Sequence, residues 1–254
     1  MEPVSAFAVG YVTDKLVDAV ESAIKVHVVE RWSRYRAKQF FQAFFLGLAE
    51  GGLSFDEINL KLDELLESDD RSEVVWEAYR SVCLAKSKNI GPRIIAILTA
   101  ELILQGRQAD TEEESMFGAA ESLSDSEFMD FADYADEKKK LANDSDMADV
   151  ISTDEGAIDV KIMQESTDSF WRKSSLNVGP ANLALEVGSW AEKLKSLGLV
   201  SDSIVERQWN YEADSERHID EDGIVREITW WIELKTGAMR LADLVNRTVQ
   251  ADPI

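Results

Sequence analysis

Apolar residues recur at helical spacing through most of the first half of the chain. Phe40, Phe41, Phe44, Phe45 and Leu48 stand at i, i+1, i+4, i+5 and i+8, which gathers them on one face of a helix that Gly51-Gly52 ends. Ser54-Phe55-Asp56-Glu57 has the form of a capping box, in which the serine oxygen accepts from the third amide and the glutamate reaches back to the first. It predicts a helix carrying Ile58, Leu62, Leu65 and Leu66. Ser72 predicts the start of another, through Val75, Trp76, Tyr79, Val82 and Cys83, broken at Asn89-Ile90-Gly91-Pro92. Residues 94–104 are apolar on most sides and stop at Gly106, the mark of a buried central helix. Pro92 suits its first turn, where a missing amide has no helical partner to lose.

Beyond it, Thr111-Glu112-Glu113-Glu114 and Ser124-Asp125-Ser126-Glu127 have capping-box form, with acids where the helix dipole favours them. Lys138-Lys139-Lys140 has the charge suited to the second helix's end. Residues 143–156 are polar and aperiodic and read as a linker or exposed loop. The pattern then changes. Leu183, Leu185, Val187, Trp190, Leu194 and Leu197 predict one helix after Pro180, or two short ones hinged at Gly188. Residues 204–211 and 224–232 have strand character, and Asp220-Glu221-Asp222-Gly223 between them predicts a hairpin. Thr236 opens a closing helix with Met239, Leu241, Leu244 and Val245.

These elements predict a mainly α protein: a multi-helix domain over residues 1–142, an acidic linker or loop over 143–159, and a small α+β domain with a β-hairpin over 160–254. Charge sharpens the division. The formal net charge is −22, from 49 acidic and 27 basic side chains. Residues 109–159 hold 17 of the acids and 3 of the bases, so most of the excess lies in the middle. Such a field repels nucleic acid and anionic membrane. Cys83 is the single cysteine and fits a reducing compartment. The N-terminal stretch has no targeting pattern, and no run of about 18 apolar residues marks a membrane span. The expectation is a cytoplasmic protein without membrane attachment.

The order of a short helix, a second helix ending in Lys195-Ser196-Leu197-Gly198-Leu199-Val200, a hairpin and a further helix resembles the winged-helix fold over residues 176–248. A helical front followed by this module also resembles bacterial abortive-infection proteins of the alpha type, which are linked to phage defence. Residues 98–114 are similar to TerB-like helical domains. These resemblances imply a regulatory role in phage defence or stress response and supply no catalytic residues.

The chemistry itself is sparse. Catalysis by a Ser-His-acid or Cys-His set needs an imidazole, and only His27, in an apolar stretch, and His218, in the charged hairpin tip, are present. One cysteine and two distant histidines make no zinc set. Residues 144–155 copy calcium-loop spacing at positions one, three and twelve, yet place Ala148 and Asp149 where a ligand and the turn glycine belong. No glycine-rich phosphate loop occurs. No catalytic residue, metal or cofactor is therefore expected. Arg31, Arg34, Arg36 and Lys38, interleaved with Trp32 and Tyr35, form the one basic cluster and read as a solvated face beside the phenylalanine seam.

A DNA-reading winged helix presents basic residues to phosphate. Here Glu186, Glu192, Lys193 and Lys195 cancel, and the wing tip is acidic at Asp214, Glu216, Asp220, Glu221 and Asp222. The module reads instead as a protein-contact surface, with Ser189, Glu192, Lys193, Trp230 and Trp231 as partner-binding residues. In a strand the two tryptophans point to opposite faces. The functional expectation is a non-enzymatic interaction or regulatory protein with a protein partner. Alternatives are a DNA-binding regulator and an acidic DNA mimic, and self-association stays open.

Overall fold

The computed structural model describes residues 34–54, 57–58, 60, 78, 80–142, 149–152, 156–168, 182–211 and 223–250. The apolar stretch at residues 7–12, His27, Arg31, Trp32, most of the helix begun at Ser54, most of the calcium-like loop, Pro180 and the hairpin tip with His218 lie outside the described residues. The described elements are α1 (Arg34–Glu50), α2 (Ile90–Gln105), α3 (Thr111–Ser122), α4 (Asp125–Ala142), β1 (Val150–Ser152), β2 (Ile158–Asp168), α5 (Leu183–Glu186), α6 (Ser189–Ser196), β3 (Val200–Tyr211), β4 (Gly223–Leu234) and α7 (Thr236–Gln250). Among the described residues the protein is mainly helical, with one antiparallel four-stranded sheet. The chain divides into two compact units, residues 133–240 and the remainder, and the division falls within α4 and again within α7.

In the first unit the phenylalanine seam is core: Phe40, Phe41, Phe44, Phe45 and Leu48 are each at most 5% exposed. Phe40 and Phe44 stack at 5.8 Å, and Phe41 meets Phe40 edge-on at 5.2 Å. This face packs on α2, whose Ile94, Ile95, Ala96, Leu98, Ala100 and Leu102 are all buried. Gly47 lets the two helices close, since a Cβ there would lie 2.9 Å from the Ala100 Cβ. The central helix begins at Ile90, earlier than Pro92, so the proline falls within its first turn. Gly106, at φ 63°, turns left-handed and ends it.

The capping boxes form with one shift in register. Ser54 and Glu57 exchange bonds of 2.8 and 3.4 Å, as do Ser124 and Glu127 at 2.9 and 3.3 Å. In α3 the cap is Asp110, one residue before the expected Thr111. Both Asp110…Glu113 and Thr111…Glu114 satisfy the pattern. Arg107 decides between them, gripping Glu113 with two bonds of 2.6 Å while that carboxylate is 1% exposed.

One carboxylate ties three segments of this unit together. Asp125, at the start of α4, accepts from the Ser87 hydroxyl at 2.5 Å and from the amides of Lys88, Asn89 and Ile90 at 3.1, 3.2 and 3.0 Å. Ser87 in turn accepts from the Gly91 amide at 2.7 Å. Asn89 makes no side-chain cap, so a residue distant in sequence satisfies the amides at the start of α2. Burial pushes the Asp125 carboxyl up, and the bonds from Ser87, Ile90, Lys88 and Asn89 together outweigh it and hold the group below the ordinary carboxylate range.

In the second unit the strand order is β1-β2-β4-β3. Residues 150–152, inside the stretch that reads as a loop, are strand β1, and β2 adds a further strand that the hairpin pattern alone does not announce. A register shift between Lys161 and Met163 breaks the alternation of β2. Val150, Ile158, Val160, Trp230, Ile232, Leu234 and Val200 line the buried face. Asp159, Lys161, Trp231, Glu233 and Ser201 line the other and are half-buried.

Candidate partner-binding surface

Two short helices and the strand after them build the surface. Asn182 caps α5, its Oδ1 accepting from the Leu185 amide at 3.2 Å. The turn closes when the Val187 amide reaches the Leu183 carbonyl at 2.9 Å. Gly188 then takes φ 136°, so residues 183–196 form two helices and not one continuous helix. A side chain there would meet the Trp190 indole at 2.8 Å as well as strain the backbone.

Below the hinge, α6 turns Trp190, Ala191 and Leu194 inward, each at most 1% exposed. The Trp190 ring lies 5.4 Å from that of Tyr134, and the Lys138 ammonium stands 5.0 Å from the tyrosine ring. Burial, with the nearby Glu137 adding to it, pushes the Tyr134 phenol above its usual range. The tyrosine therefore stays protonated and serves as an aromatic support.

The end of α6 is tied to the sheet through Asp202 on β3. Lys195 Nζ lies 2.7 Å from one oxygen of Asp202, and Trp230 Nε1 donates to the other at 3.1 Å. The lysine bond, helped by the indole, outweighs burial and lowers the aspartate, while the same aspartate raises Lys195. Lys195 is thereby committed to the fold's own electrostatics.

Of the residues picked out in the sequence, Ser189, Glu192 and Lys193 share α6, the first two exposed and the third half-buried. The tryptophans do not join them. Trp230 is 2% exposed in the core. Trp231 lies half-buried on the opposite sheet face, its ring 5.8 Å from the Lys161 ammonium. Lys161 also pairs with Asp149 at 2.6 Å. In the basic cluster, Arg36 donates to the Cys83 carbonyl at 3.5 Å, and Tyr35 and Lys38 are exposed.

Comparison of the chain with protein-family models, curated proteins and solved structures finds no match. Among the described residues no group of three or more His, Cys, Asp or Glu side chains is placed to hold a metal ion, and no helix is long and apolar enough to cross a membrane. Two features escape the sequence pattern. Leu185 continues the apolar run of its helix yet is 80% exposed, and Ile204 is 54% exposed on the sheet face that carries Asp202. Single-turn length explains Leu185, because α5 has an inner side for Leu183 alone. Nothing in the spacing marks it beforehand.

Proposed function

We propose that this chain is a non-enzymatic interaction or regulatory protein, and that α5, α6 and the β3–β4 hairpin form a winged-helix-like module that it uses to hold a protein partner. The observation that carries the reading is the exposure of Leu185, 80% open to solvent on a helix that packs against α6. A large aliphatic side chain in that position contributes to association when a partner covers it. Ser189 and Glu192 next to it in sequence supply a polar rim. The charge pattern favours protein over DNA here. Lys195 is already paired with Asp202, and phosphate binding needs uncommitted cations. The DNA-mimic reading is weaker for a similar reason: Glu113, Asp125 and Glu127 of the acidic segment are engaged in internal bonds and do not contribute to a phosphate-like row. Phage defence or stress response is the setting that the family resemblance supports.

A cross-linking pull-down from native lysate with the wild-type chain and with Leu185→Asp tests the reading. The wild type retains a partner that the variant loses, with unchanged circular dichroism. Turnover of a nucleotide or cleavage of nucleic acid by the purified protein overturns the non-enzymatic part. A gel shift of duplex DNA at low salt transfers the module to DNA binding.

A further inference from the structure

We propose that Asp159 and Glu233, which face each other across β2 and β4, form a proton-operated clasp. With one proton between them they bond and draw the strands together, and with both ionised they push the strands apart. The proposal is independent of the protein-contact reading. The register puts Ile151 of β1, Asp159 of β2, Glu233 of β4 and Ser201 of β3 in one row that crosses all four strands. It lies next to the end of the sheet, which Ser152, Ile158, Leu234 and Val200 mark. Facing side chains in a sheet start from Cβ atoms about 4.5–5.5 Å apart, a gap that an aspartate and a glutamate span. Like charges directly opposite each other weaken the pairing. Both residues are half-buried, so solvent screens that repulsion only in part.

The surroundings give the two carboxyls different parts. Ser201 donates its hydroxyl to Glu233 Oε2 at 2.6 Å and anchors the glutamate from the β3 side. Ile151, opposite Asp159 on β1, is apolar and offers it no bond. Lys161, two residues along β2, pairs with Asp149 at 2.6 Å and donates to Gln164 at 3.0 Å. Asp202, next along β3, belongs to the opposite face and pairs with Lys195, and Lys235 follows the end of β4. Burial, and after it the Glu233 charge, push the Asp159 carboxyl above the ordinary carboxylate range. Asp159 is therefore the member that takes a proton from solvent, and in that form it donates to the Glu233 carboxylate. Its folded value lies above the unfolded value of about 3.9, so the contribution of the clasp is complete below the unfolded value and is lost as pH rises through the folded one. Mild acid tightens this sheet.

The test is an NMR titration of the side-chain carboxyl carbons in the full chain. Asp159 takes up its proton above the ordinary range, and the Glu233 carboxyl carbon reports the same step, because coupled groups each sense the other's proton. Glu233→Gln moves the Asp159 midpoint down by about one unit, the effect of a single charge about 5 Å away near a protein surface. Amide exchange of residues 158–161, corrected for its intrinsic pH dependence, slows about fivefold in the wild type between about pH 7 and about pH 4.5, and Asp159→Asn removes that dependence. A Glu233 carbon that stays silent through the Asp159 step overturns the clasp, and this measurement decides the matter where a variant does not fold. An Asp159 midpoint in the ordinary range also overturns it, as does one that Glu233→Gln leaves in place, since burial alone then governs the group. Exchange that slows equally in Asp159→Asn has the same force, because the tightening then comes from another residue.

Discussion

At the scale of single residues, Asp125 shows how a side chain acquires a role that its local sequence does not state. Its neighbours Ser124 and Glu127 announce a capping box, and both perform it. Asp125 itself reaches across to the start of α2 and satisfies one hydroxyl and three amides. Asp125→Ala leaves those donors without their acceptor and lowers the unfolding free energy by about 2 kcal/mol, measured by urea denaturation. The pH dependence follows from the lowered carboxyl. Its pKa in the folded protein lies below that of the unfolded chain, so its contribution is complete above the unfolded value of about 3.9 and disappears as pH falls through the folded one. Asp125→Asn removes that ionisation, and its stability therefore declines less steeply than the wild type's on the acid side of about pH 4. An identical acid slope for the two proteins would assign the acid sensitivity to other carboxylates.

Between elements, close contacts set what substitutions the fold accepts. Gly91 lies in the first turn of α2, where a Cβ would come within 2.5 Å of the Ala120 carbonyl oxygen and 3.0 Å of the Ser87 Cβ. The obstacle is backbone, which cannot rotate aside, so Gly91→Ala costs about 1–3 kcal/mol. Gly106 has no neighbour within 4 Å of an added Cβ, and only its φ of 63° opposes a side chain. Gly106→Ala costs about 1 kcal/mol, and thermal melts of the two variants rank them in that order. The same contrast explains what was legible in the sequence. The phenylalanine face, the central helix and its Gly106 stop are local patterns whose periods survive folding, and they appear where the spacing puts them. The hairpin strands are legible for the same reason. By contrast, β2 loses its period at the shift between Lys161 and Met163 and turns polar after it, so a four-stranded sheet reads as a two-stranded one. The α3 cap is ambiguous by one residue until Arg107 chooses Glu113. Of the candidate surface, the placement of Ser189, Glu192 and Lys193 on one short helix follows from helix spacing. Burial of Trp230 and exposure of Leu185 depend on which layer covers which face, and that information is not local.

For the chain as a whole, charge is the dominant fact. The surface pairs Arg247–Glu50 at 2.7 Å and Lys138–Glu137 at 2.8 Å contribute little, because solvent screens them. Against them stands the mutual repulsion of an excess of 22 negative charges, concentrated between residues 109 and 159. Raising ionic strength shortens the screening length from about 10 Å at 0.1 M to about 3 Å at 1 M. That weakens both contributions, and the repulsion, summed over many pairs at longer range, loses more. The midpoint of thermal unfolding therefore rises by a few degrees as sodium chloride goes from about 0.1 M to about 1 M. A fall would mean that the ion pairs outweigh the repulsion.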